Sequence, residues 1–184
     1  MPEKKVFNIH EQQKLKPQIE DVIPVYHAEN PHKKAILDFA AYMRANDMPP
    51  KWSHSFGWAF RYKYKPICYI ELLMYKGNQS WSVSPVLSHM DKYGDLLKDE
   101  GLCNIIWDNV CYCTHYRGDG KGCNPNKGCA GGRSFVCLGK EFKGICGCRL
   151  GVKIYEPNET TVNGIKRLLE LEKKARDEEP QKIK

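Results

Sequence analysis

Seven of the nine cysteines lie between positions 111 and 148. They are Cys111, Cys113, Cys123, Cys129, Cys137, Cys146 and Cys148, with His115 among them. The middle of this segment reads RGDGKGCNPNKGCAGG, rich in Gly, Asn and Pro. Such a stretch buries little apolar surface and loses much backbone entropy on ordering. Something other than a hydrophobic core must fix it, if it is fixed at all.

Three uses of sulfur compete. Zinc takes four sulfur or nitrogen ligands in a tetrahedron. In a small metal-organised unit its binding contributes roughly 10–16 kcal/mol to folding, enough to offset the ordering of such a loop. Two Cys-X-Cys pairs, 111/113 and 146/148, bracket the segment. In an extended chain the two sulfurs of such a pair point the same way and can reach one ion. The predicted ligands are therefore Cys111, Cys113, Cys146 and Cys148, with Cys123 and Cys129 next. Zinc is the expected metal, and an iron–sulfur cluster, which also takes four thiolates, is the alternative. Cys137, in SFVCL, reads equally well as a buried residue, and His115 as a ligand or an exposed side chain.

A disulfide framework would need an oxidising compartment. The opening MPEKKVFNIHEQQ has no apolar run and no small-residue cleavage site, so a cytoplasmic protein with reduced thiols is expected. The odd number of cysteines in the segment also weighs against full pairing. A catalytic or redox-sensing cysteine needs a base and a depressed pKa; His115, two residues from Cys113, is the candidate base. The two remaining cysteines read as core: Cys68 in step with Ile70, Leu72 and Met74, and Cys103 in step with Ile105 and Trp107.

At 184 residues the chain has the size of one domain. The longest apolar run, near 67–75, is broken by Glu71 and is too short to cross a bilayer. The net charge of +7 is spread over 51–184 and is not gathered in one place. A nucleic-acid-binding or transcription-associated domain is thus an alternative, drawing on Arg117, Lys121, Lys127 and Arg133. The sequence GDGKG lacks the Gly-Lys-Ser/Thr ending of a phosphate loop. No pair of carboxylates suggests acid–base catalysis, and His27, His32 and His89 receive no role.

Residues 1–30, with Pro17 and Pro24, read as an extended N-terminal arm. Residues 31–179 read as a single domain carrying a cysteine-rich insert over 103–148, followed by a charged tail over 180–184. The segment NPHKKAILDFAAYMRAND is a helix capped by Asn30, with Ile36, Phe39, Ala40 and Met43 as its stripe. In FGWAFRYKYKP, Trp58, Phe60, Tyr62 and Tyr64 alternate with Ala59, Arg61, Lys63 and Lys65. This predicts a strand with an aromatic core face and a wet basic face. A platform for single-stranded nucleic acid is disfavoured there, because rings and cations would lie on opposite faces. ICYIELLMY reads as a central strand and SWSVSPV as a third, with its serines on the other face from Trp81 and Val83. SHMDKYGDLLKDEG is a helix capped by Ser88 and ended by Gly101. CNIIWDNV and RLGVKIYEP read as strands. NETTVNGIKRLLELEKKARDEE is a helix striped by Val162, Ile165, Leu168 and Leu169 and weakened at Gly164. Trp52 and His54 either line a pocket at the sheet edge or close the core. The expected class is α+β: an antiparallel sheet of four or more strands with two or three helices on one face.

The stretch LGKEFKGICGC, followed by YEPNETTVNGIKRLLELEKK and preceded by KWSHSFGWAFRY, resembles a family of small uncharacterised proteins from anaerobic Firmicutes. That family's pattern is a Gly-Trp strand, a few cysteines, Gly-Lys-Glu-Phe then Cys, Asn-Pro, and a Leu-rich closing helix. The resemblance covers residues 50–175 and is most specific at Gly139-Lys140-Glu141-Phe142 with Cys146. The chain departs from it in having Pro157-Asn158 and additional cysteines, Cys148 included. The resemblance implies a soluble bacterial α+β domain with cysteines as candidate metal ligands, and it carries no activity. The reading preferred overall is a metal-binding protein with a structural or recognition role and no catalysis. A nucleic-acid-binding domain is the first alternative, and a thiol-dependent enzyme or redox sensor the second.

Overall fold

The computed structural model of the chain describes residues 13–26, 31–54, 56–75, 78–112, 133–145 and 151–179. In chain order the elements are α1 (Ile19–Tyr26), α2 (Lys33–Ala45), β1 (Pro50–His54), β2 (Gly57–Tyr62), β3 (Lys65–Tyr75) and β4 (Asn78–Pro85). Then follow α3 (Met90–Asp99), α4 (Cys103–Trp107), β5 (Arg133–Cys137), β6 (Lys140–Ile145), β7 (Ile154–Tyr155) and α5 (Glu159–Asp177). The class is α+β with a five-stranded antiparallel sheet in the order β1-β2-β3-β4-β7. The chain divides into two compact units. One runs through Val83 and takes in Tyr155–Val162; the other holds Ser84–Ile154 and Asn163 onward.

The first unit contains most of the sheet. Its meander β2-β3-β4 follows the alternation in the sequence, and β3, apolar on both faces, is the central strand as expected. Trp58, Phe60, Ile70, Leu72, Trp81 and Val83 are buried, with Ile36, Phe39, Ala40 and Met43 from α2. Phe39 meets Phe60 edge-on at 6.1 Å between centroids. The wet faces are smaller than predicted: Ala59, Ser82 and Ser84 are buried as well. Helix α2 begins at Lys33 with His32 in the cap position, not Asn30, and His32 makes no side-chain cap.

Two elements here go beyond the sequence reading, the first by contradicting it. Part of the expected arm is helix α1, with Ile19, Val22 and Ile23 fully buried. Their spacing of three and four places them on one helical face. Burying each contributes about 1.5–3 kcal/mol. Together they outweigh the roughly 3 kcal/mol that Pro24 costs inside the helix. The Trp58 indole N–H donates to the Pro17 carbonyl at 2.9 Å, pinning the chain ahead of α1 to β2. Arg44 adds a two-nitrogen grip on Glu20, at 2.8 and 3.0 Å. The second element is β1. Pro50 starts an edge strand, where a missing N–H leaves no ladder bond unmade, so it opens a strand as well as stopping a helix.

In the second unit, the strand expected over CNIIWDNV is helix α4 with a following turn. The buried residues of α4 are Cys103 and Ile106, a step of three that suits a helix rather than the alternation of Cys103 with Ile105 and Trp107. Helix α3 starts after His89 rather than Ser88, and it ends as predicted, with Gly101 at φ +68°. The insert contains an unpredicted hairpin, β5–β6, turning through Leu138 and Gly139 at φ +52° and +84°. Helix α5 opens under an Asn158 cap, whose Oδ1 accepts the Thr161 N–H at 2.8 Å. All four predicted stripe residues of α5 are buried. Gly164 is a contact rather than a weakness: a Cβ there would stand 2.1 Å from Ile105 Cδ1 on α4.

Candidate metal site at the root of the cysteine segment

The chain enters the cysteine segment at Asn109–Tyr112 and leaves it through Ile145 and Gly151–Lys153. These two stretches pair. Val110 bridges Val152 and Tyr112 bridges Ile145, both antiparallel. The Cys111 N–H donates to the Gly151 carbonyl at 2.7 Å, and the Lys153 N–H donates to the Asn109 carbonyl at 2.9 Å. Val110, Val152 and Ile145 are buried, which seats the pairing on apolar packing. Cys111 is half-buried and lies between the two bridged residues. Tyr112 directly precedes Cys113, and Ile145 directly precedes Cys146. The backbone flanking both Cys-X-Cys pairs is thus held together across a long stretch of sequence.

Of the six predicted ligands, Cys111 is described; Cys113, Cys123, Cys129, Cys146 and Cys148 lie outside the described residues, as do His115, Arg117, Lys121 and Lys127. Among the described residues, no group of three or more His, Cys, Asp or Glu is placed to hold a metal ion. The donors that the sequence supplies at this root are sulfurs. Soft thiolates suit zinc or an iron–sulfur cluster and not magnesium or calcium.

Of the other described cysteines, Cys68 and Cys103 are core residues as expected, and Cys137, whose role the sequence left open, joins them. Cys68, Cys103 and Cys137 are buried, and burial pushes the Cys103 and Cys137 thiols above the ordinary thiol range. Thiols raised in this way are slow nucleophiles. The Trp107 indole N–H donates to the Cys137 carbonyl at 3.0 Å, tying α4 to β5. Lys140 Nζ lies 5.3 Å from the Trp107 ring centroid and 5.4 Å from that of Phe142.

Sequence reasoning missed a buried ionic cluster in the second unit. Glu172 on α5 is fully buried and accepts four hydrogen bonds. Arg176 Nε reaches one oxygen at 2.8 Å, and His89 Nδ1 reaches the same oxygen at 2.8 Å. The other oxygen accepts from the Tyr93 hydroxyl at 2.8 Å and the His89 N–H at 3.1 Å. His89 Nε2 lies 2.8 Å from Glu179 Oε1. With a carboxylate on each ring nitrogen, bonding to Glu172, then Glu179, favours the doubly protonated His89 ring and raises its pKa. Burial pushes the Glu172 carboxyl up, but the bonds from His89, Arg176 and Tyr93 more than reverse this and hold it below the usual range. Burial, reinforced by the Glu172 charge, drives the Tyr93 hydroxyl far up. A carboxylate with about four acceptor positions, all filled, has none left for a substrate. The cluster therefore fastens the start of α3 to α5. It was legible in one respect: Glu172 falls on the α5 apolar stripe, three residues after Leu169 and four before Arg176.

A cleft of ≈ 450 Å³ lies against α3, lined by Met90, Asp91, Gly94, Asp95, Lys98 and Leu138 among others. Lys98 pairs with Asp95 at 2.9 Å, and Leu138 packs so closely that a Cβ on Gly94 would stand 2.9 Å from its Cδ2. In the first unit, His54 on edge strand β1 faces Glu71 at 3.4 Å beside Gly57, whose added Cβ would meet the imidazole at 2.6 Å. No helix among the described residues is long and apolar enough to cross a membrane. No protein-family model, no curated protein and no solved structure matches the chain.

Proposed function

We propose that the chain is a metal-binding protein in which Cys111, Cys113, Cys146 and Cys148 hold a structural zinc ion, with Cys123 and Cys129 as further donors. The observation that supports this is the double bridge at the segment's root. Tyr112 pairs with Ile145 and Val110 with Val152, so the described residues that precede Cys113 and Cys146 in sequence are held together beside Cys111. Four thiolates around zinc leave no position open to water, and such closed sites stabilise structure or present a surface for recognition. An iron–sulfur cluster would use the same donors. A cytoplasmic setting, which keeps thiols reduced, belongs to the same reading, and so does kinship with the small Firmicutes family.

The test is elemental analysis of the purified protein together with thiol counting under native conditions. Stoichiometric zinc or iron, with most thiols of the segment shielded until a chelator is added, is the expected result. A metal-free protein whose segment thiols all react at once, or whose sulfurs are oxidised in pairs, overturns the proposal.

A further inference from the structure

The β2–β3 hairpin breaks the alternation that separates its rings from its cations. Tyr62 pairs with Lys65, which leaves Lys63 and Tyr64 as a two-residue turn. Their φ angles are +47° and +68°. Positive φ at both positions marks a type I′ turn, whose usual occupants are Asn, Asp and Gly. A bulky aromatic residue in that region is strained, and strain of this kind gathers at functional positions. Nor does the ring repay the strain by packing, since Tyr64 is 94% exposed.

The surroundings of Tyr64 are basic. Arg61 Nη1 donates to the Tyr64 carbonyl at 3.0 Å, which holds the guanidinium beside the turn. Lys63 Nζ stands 5.7 Å from the centroid of the Tyr62 ring. Lys65 leaves the turn exposed to solvent, and residues 57–70 contain neither Asp nor Glu. Along the strands rings and cations lie on opposite faces; at the turn they come together.

We propose that this turn is a docking point for single-stranded nucleic acid, with Tyr64 as a stacking platform for a base and Arg61, Lys63 and Lys65 facing the flanking phosphates. Both halves of the surface then have a use. Stacking engages the open face of the ring, and the backbone engages the cations. An acidic peptide would engage only the cations. The inference does not depend on the metal reading, since the turn lies in the first unit and the cysteine segment in the second.

The experiment is fluorescence anisotropy of a labelled oligothymidylate titrated with the full chain as purified, at low and at raised ionic strength. One ring and three cations predict weak, salt-sensitive binding. Tyr64→Gly weakens it about tenfold or more. The same change leaves the melting temperature unchanged or raises it, because glycine suits the turn. Lys63→Gln with Lys65→Gln flattens the salt dependence. Three results overturn the proposal: no binding at low salt, an affinity indifferent to Tyr64→Gly, or capture of polyglutamate in place of the oligonucleotide.

Discussion

The two units solve the problem of burial differently. The first is closed by apolar side chains: two tryptophans, two phenylalanines and a run of aliphatic residues from α1, α2 and the sheet. The second buries charge as well, with Glu172 at 0% and Arg176 at 5% exposure, and it carries the segment of sequence that has least oil to bury. Apolar burial is indifferent to pH and to metal. Ion pairs and thiolate ligands respond to both. The two units should therefore part company under perturbations that touch protons or sulfur and behave alike under heat.

Chelation is the strongest way to separate them. Removing a structural zinc forfeits on the order of 10 kcal/mol of folding free energy in small zinc units. Hydrogen exchange should then show the Cys111 and Lys153 amides, which close the root of the segment, losing protection. The amides of β2 and β3 should keep theirs. Equal loss in both units would dissolve the distinction.

Glu172→Ala is the next largest. It strands the His89 and Arg176 charges without their carboxylate, and breaking a buried pair in this way costs about 3–5 kcal/mol. Chemical denaturation should show the loss, with exchange placing it in α3 and α5.

Titration attacks the same cluster more gently. The Glu172 pKa is lowered from its ordinary 4.5, so its contribution is complete above 4.5 and is lost as pH falls through the folded value. The His89 pKa is raised from 6.5, so its contribution is complete below 6.5 and is lost as pH rises through the folded value. Both are fully present between pH 4.5 and 6.5. Melting temperature against pH should form a plateau there and fall on either side. In His89→Gln the alkaline fall should vanish.

Two substitutions sharpen the packing side. Trp58→Phe leaves the buried Pro17 carbonyl without its donor. It should cost about 1–3 kcal/mol and release α1 first. Gly164→Ala should cost about 1 kcal/mol net. Its gain in helix propensity of about 1 kcal/mol is outweighed by overpacking against Ile105. Adding Ile105→Ala should restore much of the loss, and that recovery would identify the contact.

How far the sequence could be read follows from which forces are local. The meander was legible because alternation over Trp58–Lys65 and the two-sided apolar run after Pro66 are local patterns. So was the α5 stripe. Helix α1 was hidden because proline rules are also local, whereas what overrides Pro24 is the tertiary burial of Ile19, Val22 and Ile23. Three consecutive strand-like residues concealed α4, whose helical spacing shows only once Cys103 and Ile106 are known to be buried. The sulfur-rich candidate site was legible as chemistry, since seven cysteines in a glycine-rich setting stand out. Its root was not, because the pairing of Tyr112 with Ile145 is long-range and leaves no local mark. The His89–Glu172 cluster joins residues 83 positions apart, and only the misplaced charge on an apolar stripe hinted at it.

The central claim, that an ion gripped by sulfur closes the segment between Cys111 and Cys148, is tested most directly by native mass spectrometry of the intact chain. The account predicts a mass above that of the sequence by whole metal ions less the protons they displace. That excess should disappear on acidification and should be reduced in a Cys111→Ser, Cys113→Ser variant. A native mass equal to that of the bare sequence, or below it by pairs of hydrogens, would contradict the account.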